Sequence, residues 1–219
     1  MSAPLPHPAA ELIRGVYAIT ADDLDTGSLL RKADAVLAAG VRVLQYRNKL
    51  APEALKLQQL PALQALCRRH QALLILNDDW QLARQLQIGA VHIGKDDGEL
   101  HEARAALGDH VLIGVSCYAS LERAQQLAPL ADYLAFGALF ASGTKPQAPG
   151  ASLDVLAQAR ALQLGRPIVG IGGIDTGNIA SVLAAGADAA AVIGALFNQP
   201  DPGQAARALL RACEQVSAP

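Results

Sequence analysis

Eight short, mainly apolar runs recur along the chain, at 15–20, 41–47, 73–76, 90–93, 111–115, 133–136, 167–171 and 189–193, the second ending in polar groups at every second position. A strand that is apolar at nearly every position has both of its faces covered. The runs are separated by stretches with helical spacing, at 28–39, 55–69, 80–86, 100–107, 121–127, 153–162, from 176 or 178 to 185, and 204–216. Parallel strands can be joined only by such crossovers, so strict alternation implies a parallel sheet. Eight strand–helix units within 219 residues predict an α/β fold: a single (β/α)8 TIM barrel. A doubly wound open sheet is the runner-up. Its first strand–helix turn would normally carry a glycine-rich fingerprint, which ADDLDT at 21–26 lacks.

The barrel is expected over 11–219, preceded by a loose Pro- and Ala-rich tail over 1–10. Pro61 falls inside the second helical pattern and is expected to kink or divide that helix. The residues are 52% hydrophobic, which argues against disorder. The net charge of −2 balances 18 basic against 20 acidic side chains, so no global field would draw nucleic acid and any anion site must be local. Cys67, Cys117 and Cys213 are far apart and form no metal-type spacing, which fits free thiols in the cytoplasm. The N-terminus does not read as a signal peptide, and no apolar run is long enough for a membrane span.

In a barrel of this kind the active site lies at the C-terminal ends of the strands, and the polar residues gather there. Strand alternation aims Gln45 and Arg47 the same way, with Lys49 following if the extension continues. An amide and a cation directed off the end of a buried strand call for an anionic partner. Gly172 and Gly173 after the seventh strand, and Gly194 after the eighth, offer backbone N–H groups at the usual phosphate position of barrels. Asp78 and Asp97 end neighbouring strand units, and two carboxylates beside a bound phosphate suit Mg²⁺. Asp79 and Asp96 read better as helix caps or solvated groups. Arg47, Lys49 and Lys145 together suggest a pyrophosphate, whose departure a metal and fixed cations would stabilise. His92 lies inside a strand and reads as a packed or hydrogen-bonded core histidine. Cys117 reads as structural.

These segments resemble the thiamine phosphate synthase family across nearly the whole chain. The likeness is carried by GVYAIT at 15–20, QYRNK at 45–49, NDD at 77–79, HIGKDD at 92–97, IGVS at 113–116, FGALF at 136–140, SGTK at 142–145 and GIGGI at 170–174, in that order. The resemblance implies a barrel enzyme, a transferase of thiamine biosynthesis. Such an enzyme joins a hydroxymethylpyrimidine diphosphate to a hydroxyethylthiazole phosphate, yielding thiamine phosphate and pyrophosphate. It implies one Mg²⁺ per subunit and a carbon–oxygen bond that breaks ahead of thiazole attack. Its partners are these two small molecules, with no nucleic acid and no membrane, and a homodimer is allowed. By position, Arg47, Lys49 and Lys145 would hold the diphosphate, with Gln45 beside them and Ser116 in contact. Asn77 would bind the pyrimidine, and Asp78 and Asp97 the metal. Ser142, Thr144, Gly173, Ile193 and Gly194 would line the thiazole phosphate pocket. The chain departs from the commoner family pattern at Lys95, Ala138, Ser142 and Gly194, where many members have Gln, Pro, Thr and Ser. A related thiazole tautomerase shares the barrel but resembles the chain less, having a functional His where Tyr118 stands and no NDD stretch. A sugar-phosphate isomerase would explain the glycine turns but not Asn77 and Asp78 with Asp97. A non-catalytic regulator would have had less reason to keep the full set of cations and acids.

Overall fold

The protein is described by a computed structural model covering residues 7–94, 97–141 and 151–215, with backbone only at 97–99. Eight parallel strands close into a barrel in sequence order: β1 (Gly15–Ile19), β2 (Val43–Tyr46), β3 (Leu73–Asn77), β4 (Ala90–Ile93), β5 (Leu112–Tyr118), β6 (Tyr133–Phe136), β7 (Ile168–Ile171) and β8 (Ala189–Val192). The alternating helices are α1 (Thr26–Ala38), α2 (Glu53–Arg69), α3 (Trp80–Gln85), α4 (Asp97–Leu107), α5 (Leu121–Leu127), α6 (Asp154–Ala161), α7 (Ile179–Ala184), α8 (Gly194–Phe197) and α9 (Pro202–Glu214). The ring closes where β1 pairs with β8, Tyr17 opposite Ala191. The expected eight-unit barrel is therefore present.

Strand alternation divides the buried residues into two cores. Outward residues such as Val16, Leu44, Leu76 and Val91 pack under the helices. Inward residues fill the barrel: Tyr17, Val43, Ile75, Leu112, Tyr133, Val169 and Ala189 among them. That inner set has a floor. Pro8–Leu12 forms a short 3-10 helix that places Ala10 and Ile13, 2% and 1% exposed, in the inner core. The His7 N–H donates to Asp132 Oδ1 at 2.9 Å, tying this segment to the start of β6. The expected loose tail is thus corrected for residues 7–10, because burying Ala10 and Ile13 closes the bottom of the barrel. Residues 1–6 lie outside the described residues.

Other differences are local. Pro61 neither divides nor ends α2, which runs unbroken from Glu53 to Arg69. Pro61 is exposed, so the carbonyl that loses its donor sits on the solvent side, where water can satisfy it. β2 stops at Tyr46, short of Arg47. β5 runs on through Ser116 to Tyr118, past a register irregularity between those two residues. α8 is an additional four-residue helix directly after β8, too short to show a sequence period.

Candidate active site

The mouth at the strand C-termini has two unlike halves. At the ends of β7 and β8 the wall is rich in glycine. A cavity of about 510 Å³ opens there, lined by Gly172, Gly173, Asp175, Ile193, Gly194 and Asn198 among others. Gly172 and Gly173 hold φ of +106° and +62°, which disfavour any side chain. Space is equally demanding. A Cβ on Gly172 would lie 2.6 Å from Ala138 Cα, and one on Gly173 would lie 2.6 Å from the Ala141 carbonyl oxygen. Asn178 stitches the turn by donating from Nδ2 to the Gly173 carbonyl at 2.9 Å and accepting from the Asp175 N–H at 2.9 Å. Among the described residues no acceptor is paired with the amide of Gly173 or Gly194. Gly173, Ile193 and Gly194, expected together in one phosphate pocket, do share this cavity. Ser142 and Thr144 lie outside the described residues.

At the ends of β2 to β5 the wall is made of side chains. Arg47 follows β2 with its side chain only 14% exposed and its guanidinium 3.6 Å from Asp22. Thr20 fixes this segment to β1 from both sides. Its Oγ1 donates to the Arg47 carbonyl at 3.0 Å and accepts the Arg47 N–H at 2.9 Å. Asp22 also accepts the Lys49 N–H at 2.6 Å. Lys49 itself is exposed, and with β2 ending at Tyr46 strand alternation does not govern its direction. Asn48 is buried between them and donates to the Asp23 carbonyl at 2.7 Å. Thr20, Asp22 and Asn48 are supports that sequence reasoning missed. Only Asn48 carried a signal, its place between Arg47 and Lys49.

Asn77 ends β3, and its Nδ2 donates to Asp78 Oδ2 at 2.6 Å. Asp78 sits at φ +63°, a conformation that Asp tolerates better than most residues. Its Oδ1 accepts the Gly94 N–H at 3.2 Å, and its own N–H donates to the His92 carbonyl at 2.8 Å. The carboxylate is therefore oriented from both sides. A carboxylate offers about four acceptor positions, so each oxygen keeps capacity for a hard cation, and this donor chemistry fits Mg²⁺. Asp97 begins α4 near the end of β4, but its side chain lies outside the described residues, as do Lys95, Asp96 and Lys145. Asp79 caps α3 through the Leu82 N–H at 3.2 Å and pairs with Lys56 at 3.2 Å, as its reading as a cap required.

Below this wall lies a chain of buried polar groups. Gln45, 3% exposed, turns its amide nitrogen inward to Tyr17 Oη at 2.8 Å. Tyr17 Oη meets Tyr133 Oη at 2.8 Å, and Tyr133 Oη meets His92 Nδ1 at 2.9 Å. His92 Nε2 meets Ser116 Oγ at 3.0 Å. His92 is the hydrogen-bonded core histidine that its strand position suggested. Burial, partly offset by the Asp78 charge, pushes its pKa down to about 4, so the ring is neutral at ordinary pH. Burial raises the Tyr17 and Tyr133 hydroxyls above their ordinary range, so both stay protonated.

A barrel with a glycine-rich cavity at β7 and β8 and a cationic and acidic wall at β2 to β5 defines a class: an enzyme site for small molecules. The family model for thiamine monophosphate synthase matches residues 16–196. The thiamine-phosphate synthase of Methylobacillus flagellatus is 53% identical over 190 residues, covering 86% of this chain and 90% of that protein. The thiamine-phosphate synthase of Chromobacterium violaceum is 49% identical over 198 residues, covering 90% and 95%. A solved structure of a thiamine phosphate pyrophosphorylase from Pyrococcus furiosus superposes with a TM-score of 0.84 at 28% identity, covering 95% of this chain and 99% of that one. The chain belongs to the thiamine monophosphate synthase family.

Proposed function

We propose that the protein joins a hydroxymethylpyrimidine diphosphate to a hydroxyethylthiazole phosphate, giving thiamine phosphate and pyrophosphate. The observation that carries this reading is the two-part mouth. Its glycine cavity suits the monophosphate of one substrate. The opposite wall, with Arg47, Asn77, Asp78 and Ser116, suits a heterocyclic diphosphate. Family membership supports this pair of substrates among the many that a phosphate-binding barrel could take.

The reaction breaks the bond between the pyrimidine methylene carbon and the diphosphate oxygen, and the electron pair leaves with pyrophosphate. The thiazole nitrogen then supplies its lone pair to the methylene carbon. Nothing must be deprotonated, so the work is alignment and charge stabilisation. Asn77 orients the pyrimidine. Arg47 sets a fixed positive charge beside the leaving group, helped by Lys49 and Lys145, and Ser116 donates a hydrogen bond to it. Gln45 supports this wall from below. Gly173, Ile193 and Gly194, with Ser142 and Thr144, hold the thiazole phosphate. Asp78 and Asp97 would hold one Mg²⁺, which when bound neutralises diphosphate charge.

None of Cys67, Cys117 and Cys213 is joined in a disulfide, which suits a cytoplasmic enzyme. Among the described residues no helix is long and apolar enough to cross a membrane. A homodimer is compatible with this reading. The test is to incubate purified protein with both substrates and Mg²⁺, and to measure thiamine phosphate by chromatography. Product that requires both substrates supports the reading, and its absence with authentic substrates overturns it.

A further inference from the structure

The barrel interior is built around a feature that the transfer reaction does not by itself require. Two tyrosines and a histidine, all buried, run as a connected file from Gln45 to the mouth. Space has been cleared for this file. In the β4–β5–β6 register, His92 lies opposite Gly114, and Gly114 lies opposite Tyr133. A Cβ on Gly114 would fall 1.9 Å from Tyr133 Cζ and 2.4 Å from its hydroxyl oxygen. Only glycine there lets the Tyr133 ring cross to His92, on which it stacks at 5.6 Å between centroids.

The file also has a direction. The Gln45 amide nitrogen can only donate, so Tyr17 Oη accepts from it and passes its own hydrogen to Tyr133. Tyr133 then donates to His92 Nδ1, which leaves the neutral ring its proton on Nε2. Nε2–H donates to Ser116 Oγ, whose own hydrogen is thereby turned away from the interior. We propose that His92 is a positioning residue, driven through Tyr17 and Tyr133, that holds Ser116 with its hydroxyl hydrogen presented to the leaving diphosphate. This rests on the transfer reaction proposed above.

Two experiments test it. The first uses Tyr133→Phe, which removes one oxygen and keeps the ring. Its kcat falls roughly tenfold, about one hydrogen bond's worth, while KM for both substrates stays constant. Ser116→Ala falls by about 10², as for a lost donor to a developing anion. The double variant is then no slower than Ser116→Ala alone, because Tyr133 acts only through Ser116. A full tenfold loss in both backgrounds would assign Tyr133 a merely structural role and overturn the proposal. The second needs no variant to fold. Nitrogen NMR of the ring-labelled wild-type protein shows His92 with a protonated Nε2 and a bare Nδ1. A proton on Nδ1 reverses the file and overturns the proposal. Wild-type protein that makes no thiamine phosphate would sink the reaction instead, while the NMR result still decides the direction of the file.

Discussion

In the proposed reaction the two halves of the barrel mouth hold phosphate by different means. At β7 and β8 the cavity wall includes glycine backbone, fixed by the left-handed turns at Gly172 and Gly173 and by their close approach to residues 138–141. At β2 to β5 they are side chains, each braced by a neighbour: Arg47 by Asp22, Asp78 by Gly94 and Asn77, Ser116 by His92. A backbone site changes only when the fold changes. A side-chain site can lose one function and keep its shape. Substitutions in the two halves should therefore fail in different ways.

The largest effect is expected from Arg47→Ala. Removing a fixed cation beside the leaving pyrophosphate should lower kcat by about 10² to 10³ while the melting temperature changes little. Steady-state kinetics with a thermal melt checks both, and a near-normal rate would remove Arg47 from the diphosphate wall. Gly173→Ala should behave in the opposite manner. Its Cβ has no room beside Ala141, and its φ is left-handed, so roughly 1–3 kcal/mol of stability should be lost along with thiazole phosphate binding. Denaturant unfolding measures the first part, and an unchanged midpoint would show that the turn relaxes.

Asp78→Asn sharpens the comparison within the side-chain half. Asn tolerates the φ of +63° and keeps an oxygen for Gly94, so the fold should persist. The Mg²⁺ concentration for half-maximal rate should rise by about tenfold or more as one anionic ligand is lost. An unchanged metal titration would take Asp78 off the ligand set. The smallest effect is expected at Gly194, where, among the described residues, a Cβ meets only Asn198 Nδ2, at 3.4 Å. Gly194→Ser should fold normally and lower KM for the thiazole phosphate a few-fold, about one neutral hydrogen bond. A raised KM would mean that the cavity needs the bare backbone.

The same contrast explains what could be read before folding. Continuous apolar runs announced the eight strands, because burial on both faces leaves no room for polar alternation. Glycines at 172, 173 and 194 were visible as a backbone site, since glycine is the one residue whose presence reports missing side chains. Period two aimed Gln45 with Arg47 at an anion, whereas its amide nitrogen turns inward to Tyr17, a partner 28 residues away that local pattern does not reveal. His92 was legible as a buried, bonded histidine, but its link to Ser116 depends on Tyr133 and on the missing Cβ of Gly114, which only strand register brings together. Asp22 and Thr20 brace Arg47 across a loop, and loop closure leaves no periodic trace. Pro61 misled because its effect depends on whether its helix face is wet, which follows from packing rather than from the residue itself.

The central claim, that the mouth comprises two separable phosphate sites built in different ways, is tested most directly by calorimetric titration of thiazole phosphate into the Arg47→Ala protein. Separable sites predict an affinity within about twofold of wild type, since well-separated groups couple by only a few tenths of a kcal/mol. A loss of about tenfold or more would show that Arg47 and the glycine cavity act as one site, and would contradict the account.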